Sequence, residues 1–250
     1  MGATLRGIMP GSIRLFVTPP LAEGAEVAAA PAQAHYLAHV MRRGAGDPIV
    51  LFNGRDGEFA ARIVALRGDR ALLAVEQMLR PQAPEADLWL AFAPLKRDAT
   101  DLLVQKATEL GASALLPVAT ARTNTGRINA ERLAAIATEA AEQSERLTVP
   151  HIAALTDLHT MLRDWPADRR LVVAVERAGA PRPGAAPGPA GLLVGPEGGF
   201  TERELDVLGA HPFVVAASLG PLILRAETAA IVGLALLQAP GPATRDGETA

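Results

Sequence analysis

From residue 87 onward, short apolar runs alternate with segments of helical period, and this alternation restricts the fold more than any other feature. LWLAFAPL reads as a strand, and Asp98 to Leu110 as a helix stopped by Gly111 as a C-terminal cap. ALLPVAT is a strand. Asn129 opens a long helix whose positions Leu133, Ile136, Ala137, Ala140, Ala141, Ser144 and Leu147 keep a helical spacing. LVVAVE, GLLVG and FVVAAS continue the strands, with helices expected over Thr201–Leu208 and Glu227–Gln238. Strands separated by helices imply a mostly parallel sheet with helices on its faces.

The first third reads differently. RLFVT, IVLFNG, EFAARIVAL and ALLAVEQML are strands, and the turn Asn53-Gly54-Arg55-Asp56-Gly57 suits a hairpin. One helix, from about Pro31 to Met41, interrupts them, so a small β-barrel is expected. RPQAPEADL is rich in proline and acid, lacks periodicity, and marks a boundary. The expected domains are 14–80 and 87–238, with a disordered tail over 239–250. A chain of 250 residues accommodates one large domain or two modest ones.

Composition removes several function classes. The chain has no cysteine, which excludes disulfides, thiolate metal sites and cysteine nucleophiles. Hydrophobic residues make up 49% and charged residues 20%, enough for a sizeable core. MGATLRGIMPGSIRLF has no continuous apolar run and reads as a loose tail rather than a signal peptide. AAIVGLALLQA has about half the length a bilayer span needs, so a soluble, cytoplasmic protein without membrane attachment is expected. The net charge of −3 argues against a generic nucleic-acid coat. Residues 1–80 nevertheless carry nine arginines against seven acids, so an RNA footprint would be local to the N-terminal part. Ordinary scatter of surface charge is the alternative.

Two loops carry the functional signal. In LLVGPEGGFTERELD, Leu192 to Asp206, an apolar run ends in glycines that expose backbone amides, and a helix starts at once. Phe200 and Thr201 stand where a Walker A loop needs Lys and Ser/Thr, and the spacing is not that of a dinucleotide fingerprint. One reading is a tight strand-to-helix turn with Thr201 as N-cap and Glu204 completing a capping box. The other is a ligand cradle for a weakly charged small molecule. Ser218-Leu219-Gly220 ends a strand in the same way, and in a parallel sheet both strand ends share one rim. LILRAETA then sets Arg225 and Glu227 at the start of an apolar helix. They are either a charge pair anchoring the helix, or Arg225 faces a substrate while Glu227 or Thr228 lines its pocket.

GPEGGF followed by LGPLILRAETA resembles the SPOUT class of RNA methyltransferases, and more narrowly the RsmE family, which methylates N3 of a uridine in 16S ribosomal RNA of the small subunit. The resemblance runs from about Arg14 to Gln238 and includes HYLAHVMRRGAGDPIVLFNG, LKRDATDLLVQKATELGA and EQSERLTVP. It implies an α/β SPOUT-type sheet with a C-terminal trefoil knot, an N-terminal PUA-like domain, S-adenosylmethionine as methyl donor, and a homodimer acting on 16S ribosomal RNA or the small subunit without a metal. Carried over by motif, the cofactor residues are Gly195, Glu197, Gly198, Gly199, Leu219, Gly220, Ile223, Leu224 and Thr228, with apolar walls that include Leu193. Glu176 joins them, or is a solvated strand end. Arg225 is the candidate for the group facing a uracil anion, because a guanidinium offers paired donors. Arg122 is the second candidate, and Glu227 or water accepts the proton. Ala121 stands where the family often has Glu before the arginine, which leaves no acid at that point. Arg42, Arg43 and Arg62 mark the RNA platform; Arg42-Arg43 equally suits a helix-dipole complement. Two rivals remain: a SPOUT enzyme for another RNA or a ribose 2′-hydroxyl, and a non-catalytic RNA-binding assembly factor.

Overall fold

The computed structural model describes residues 13–123, 126–175, 179–186 and 188–239. Residues 1–12 of the expected N-terminal tail, residues 240–250 of the expected C-terminal tail, and Glu176 lie outside the described residues. The chain forms two compact units: residues up to Pro84 with Ala141–Val149, and Glu85–Ala140 with the residues from Pro150 on.

The first unit holds β1 (Arg14–Phe16), β2 (Glu26–Ala29), α1 (Pro31–His35), β3 (Pro48–Phe52), β4 (Glu58–Arg67) and β5 (Arg70–Arg80). Its five strands run in the order β1-β3-β4-β5-β2, with only the β1–β3 pair parallel. The β3–β4 hairpin closes through the expected turn. Asn53 Oδ1 accepts the Arg55 and Asp56 amides at 3.2 and 2.9 Å, an Asx-turn. Gly57 has φ 99°, and a Cβ there would run into the Arg80 carbonyl, so this position requires glycine.

Two features of this unit differ from the sequence reading. The helix expected over 31–41 is α only to His35, then opens into a π turn over Tyr36–Val40 in which the Met41 amide reaches back to the Tyr36 carbonyl at 3.0 Å. Both Ala34 and Leu37, on either side of the change, are fully buried. Strand β2 was not expected: EVAA has one β-branched residue, and tertiary pairing with β5 supplies what propensity does not.

A buried charge cluster lies in the same unit. Glu58, fully inaccessible, accepts Arg14 Nε at 2.7 Å through Oε1 and Arg80 Nε at 2.6 Å through Oε2. Arg14 also donates to the carbonyls of Ala141, Glu142 and Arg146 at 3.0, 2.8 and 2.8 Å, and stacks over the Phe52 ring.

The second unit is a parallel α/β sheet. Its elements are β6 (Leu88–Phe92), α2 (Arg97–Glu109), β7 (Ala114–Ala119), α3 (Ala130–Gln143, whose last residues belong to the first unit), β8 (His151–Ile152), β9 (Thr156–Asp157), α4 (Leu158–Arg163), β10 (Arg170–Ala174), β11 (Ala190–Val194), α5 (Glu202–Gly209), β12 (Val214–Ala217) and α6 (Ala226–Gln238). The order is β12-β10-β11-β6-β7-β8, with β9 also on β7, and every pairing is parallel. Strand β11 is buried along its whole length, as a central parallel strand covered on both faces must be. The two-residue strands and the six-residue α4 were not expected, since such short elements carry no readable period.

Successive side chains of β11 point to opposite faces. Leu193 packs with Trp165, Leu158 and Leu208, whereas Leu192 lies against Gly233 of α6. A Cβ on Gly191 would stand 2.5 Å from the Trp165 indole, which is buried and donates Nε1–H to the Arg169 carbonyl at 2.8 Å. Gly191→Ala should therefore cost about 1–3 kcal/mol by overpacking, measured as a lower urea midpoint.

Candidate functional site: a cavity at the carboxyl rim of the parallel sheet

Parallel strands deliver their carboxyl ends to one rim, where ligands of such sheets sit. Here β11 ends at Val194, β10 at Ala174 and β12 at Ala217; β10 lies between the other two. The loops leaving them enclose a cavity of about 790 Å³, within the range of small-molecule sites. Gly195, Glu197, Gly198, Gly199, Leu219, Gly220, Ile223 and Leu224 all line it, together with Arg122 and Arg225.

The Gly195–Gly199 loop is the tight strand-to-helix turn of the first reading, and it lines the cavity. It is a tight turn, with the Gly199 amide donating to the Pro196 carbonyl at 2.8 Å and Gly199 at φ 67°. Thr201 caps α5, and Glu204 completes the capping box. Its glycines also make room. A Cβ on Gly198 would stand 3.2 Å from Arg122 Cδ, and one on Gly195 would stand 3.0 Å from the Phe200 ring. Arg122 leaves the end of β7, two strands beyond β11, and donates Nη1–H to the Gly198 carbonyl at 2.5 Å.

The second loop carries the other guanidinium. Gly220 has φ 143°, its amide donating to Ser218 Oγ at 3.4 Å. Arg225 is the N-cap residue of α6, with no capping bond from its side chain. Among the described residues, no hydrogen bond or ion pair engages its guanidinium. The first helical turn shows which side faces the cavity: Ala226 and Ala229 line it, Glu227 and Thr228 do not. That corrects the placement of those two. At about 100° per residue, positions 227 and 228 turn away from the face shared by 226 and 229. Leu193 is likewise not a wall, being on the opposite face of β11 from the lining residue Val194.

One lining cation had not been singled out. Arg182 lies in the Pro/Gly-rich segment after β10, which the Ser218 amide holds by donating to the Pro181 carbonyl at 3.1 Å. Nothing local in PRPG signals a site; only its position after a rim-ending strand does. Among the described residues, the carboxylate that lines the cavity is Glu197, exposed on the glycine loop. In the first unit, Arg42 is exposed at φ 52°, Arg43 is half-buried, and Arg62 is bound to Glu76 at 2.9 Å and the Gly46 carbonyl at 2.6 Å. Among the described residues, no group of three or more His, Asp or Glu side chains is assembled that could hold a metal, and no helix is long and apolar enough to cross a membrane.

Residues 81–238 match the RNA methyltransferase domain family, and residues 30–76 the RNA methyltransferase PUA domain. The fold and the rim cavity thus belong to a two-part RNA methyltransferase. The chain is 33% identical over 239 residues to ribosomal RNA small subunit methyltransferase E of Rickettsia conorii, covering 91% of this chain and 96% of that one. It is 34% identical over 235 residues to the protein of the same name from Synechocystis, covering 90% and 77%. It belongs to the ribosomal RNA small subunit methyltransferase E family. Among solved structures, a putative methyltransferase of Legionella pneumophila with bound SAM superimposes with TM-score 0.81 at 26% identity, covering 90% of this chain and 96% of that one. Ribosomal RNA small subunit methyltransferase E of Neisseria gonorrhoeae bound to S-adenosylmethionine gives 0.80 at 28%, covering 90% and 95%. The parallel α/β sheet preceded by a small strand-rich PUA domain is the fold class expected from the sequence.

Proposed function

We propose that this protein transfers the methyl group of S-adenosylmethionine to N3 of a uridine in 16S ribosomal RNA. The observation that carries the reading is that the two glycine-containing loops and two arginines, Arg122 and Arg225, line one cavity. The lining fits the cofactor. Backbone groups of Gly195–Gly199 and Leu219–Gly220 can bond an adenine and ribose, and Leu219, Ile223 and Leu224 supply apolar walls. A glycine at 198 keeps the space beside Arg122 open. When bound, the sulfonium supplies the electrophilic methyl group.

The chain's own residues must then make uracil nucleophilic. The imide nitrogen attacks only once its proton has left, so the site must favour an anion spread over two carbonyl oxygens. Arg225, at the rim and on the positive end of α6, suits that task. Arg122, tied to the Gly198 carbonyl at the cavity, suits orientation of the base. Glu227 lies off the cavity wall, so water reaching the cavity is the acceptor that suits the proton. Isothermal titration with S-adenosylmethionine, followed by mass mapping of methylated nucleosides in ribosomal RNA from cells with and without the protein, tests the reading. Absence of heat, or an unchanged N3-methyluridine signal, defeats it.

Two further parts belong to the proposal. The first unit is the RNA platform, and Arg42 is an exposed guanidinium on it. Arg42→Ala should weaken RNA binding and lower the slope of log K against log salt by about 1, without changing cofactor affinity. The protein is a homodimer in which the outer face of α6 and the exposed Leu222 and Ile223, 75% and 61% accessible, are covered by a second copy. A monomer at micromolar concentration in sedimentation overturns that arrangement. The trefoil knot implied by the family accompanies this reading.

A further inference from the structure

We propose that Glu204 is a positioning residue for methyl transfer: its carboxylate ties the loop carrying Arg122 to the start of α5 and so fixes the Arg122 guanidinium at the cavity. The assignment deepens the reading of the cavity as the methyl-transfer site and rests on it.

A capping box needs one oxygen from its glutamate. Here Oε2 does that work, accepting the Thr201 amide at 2.8 Å and the Thr201 hydroxyl at 2.9 Å. The other oxygen, Oε1, accepts the amide of Ala121 at 2.7 Å, from a loop 83 residues away in sequence. Helix capping does not call for that bond. Ala121 has only a methyl group, so its backbone N–H is the handle the loop offers at this point. The next residue, Arg122, crosses to the Gly198 carbonyl. On the far side, the turn closes on itself through the Thr120 amide to Thr123 Oγ1 at 2.9 Å and the Thr123 amide to the Thr120 carbonyl at 3.0 Å. The loop is thus folded by its own threonines, held by Glu204 at its tip, and joined through Arg122 to the glycine loop.

Burial pushes the Glu204 carboxyl up, but the bonds from Thr201 and Ala121 and the nearby Arg122 charge outweigh it and hold the group below the usual carboxylate range. Both oxygens therefore accept at neutral pH, and an ionised acceptor makes the stronger kind of hydrogen bond. Without the Ala121 anchor, a long flexible side chain would be steered by one carbonyl alone. Loss of orientation at a group beside the reacting atoms lowers turnover more than binding.

The test compares the full-length wild type, Glu204→Gln and Thr201→Ala. Glutamine keeps one accepting oxygen but turns an NH2 against either the Ala121 or the Thr201 amide. Thr201→Ala removes the cap hydroxyl and leaves the Ala121 bond intact. Glu204→Gln should lower kcat by about tenfold or more, with KM for RNA and Kd for S-adenosylmethionine within about threefold. Amide exchange over residues 119–123 should quicken in Glu204→Gln and not in Thr201→Ala, which should keep kcat within about twofold. Unchanged kcat in Glu204→Gln, or an equal loss in Thr201→Ala, overturns the proposal, because capping alone would then explain the residue. If the wild type transfers no methyl group to RNA, the activity reading has failed separately. The exchange arm then decides: equal exchange in wild type and Glu204→Gln removes the strap, and faster exchange in the variant sustains it.

Discussion

Arg225→Ala is expected to lower kcat for methyl transfer about 10²–10³-fold, the loss typical of removing one preorganised donor from a developing anion. Affinity for S-adenosylmethionine should change by no more than a few-fold. The asymmetry follows from where the residue stands. Arg225 occupies the N-cap position of α6, but its side chain caps nothing, and among the described residues nothing pairs with its guanidinium. Removing it leaves no buried partner unsatisfied, so stability should move by less than about 0.5 kcal/mol, as at other surface positions. Arg225→Lys keeps the charge and loses the paired donors, and should fall between wild type and alanine. Raising the pH should recover part of the alanine variant's loss, since more of the uracil is then ionised without help. Full activity in Arg225→Ala, measured by methyl incorporation at saturating cofactor, removes the role assigned to it.

The cavity was legible because its loops are written in backbone. Gly195–Gly199 and Leu219–Gly220 follow apolar strands, and a parallel sheet must bring such ends to one rim. What the motifs leave open is phase. Leu193 and Thr228 come with the motif match and Glu227 with its place at the helix start, and neither says which face a side chain takes. A strand period of two turns Leu193 away from the face of Val194, and the helical period turns Glu227 and Thr228 away from that of Ala226 and Ala229. Arg182 was hidden for another reason: a Pro/Gly-rich loop has no period, and its place comes from a bond made by a distant strand end. Glu204 was visible as a capping glutamate. Its second oxygen was not, since a contact 83 residues away in sequence leaves no local trace. In the fold, the same limit removed β2, β8, β9 and α4, all short and all held by tertiary pairing or packing.

The largest stability effect is expected at Glu58, which no sequence pattern singled out. Its carboxylate is fully buried between Arg14 and Arg80, and Arg14 is itself almost inaccessible. Removing one member of a buried ionic cluster leaves the others charged, desolvated and unpaired, at about 3–5 kcal/mol. Glu58→Ala should approach that figure in urea titration at neutral pH. Arg80→Ala should cost less, because Arg80 is partly exposed and Arg14 still meets Glu58. The same geometry sets a pH dependence. Burial pushes the Glu58 carboxyl up, but hydrogen bonds and charge from Arg80 and Arg14 more than offset it, so the folded chain holds the group below the ordinary glutamate value. A carboxyl with a depressed folded pKa releases its proton more readily folded than unfolded. Its contribution is therefore complete above the unfolded value and is lost as pH falls below that value and through the folded one. Wild-type stability should drop over that acid window. The Glu58→Gln variant should start lower and lose that much less over the same range. Parallel acid profiles for the two proteins would show that folding leaves the Glu58 pKa unshifted, and that the cluster does not hold the first unit together by charge.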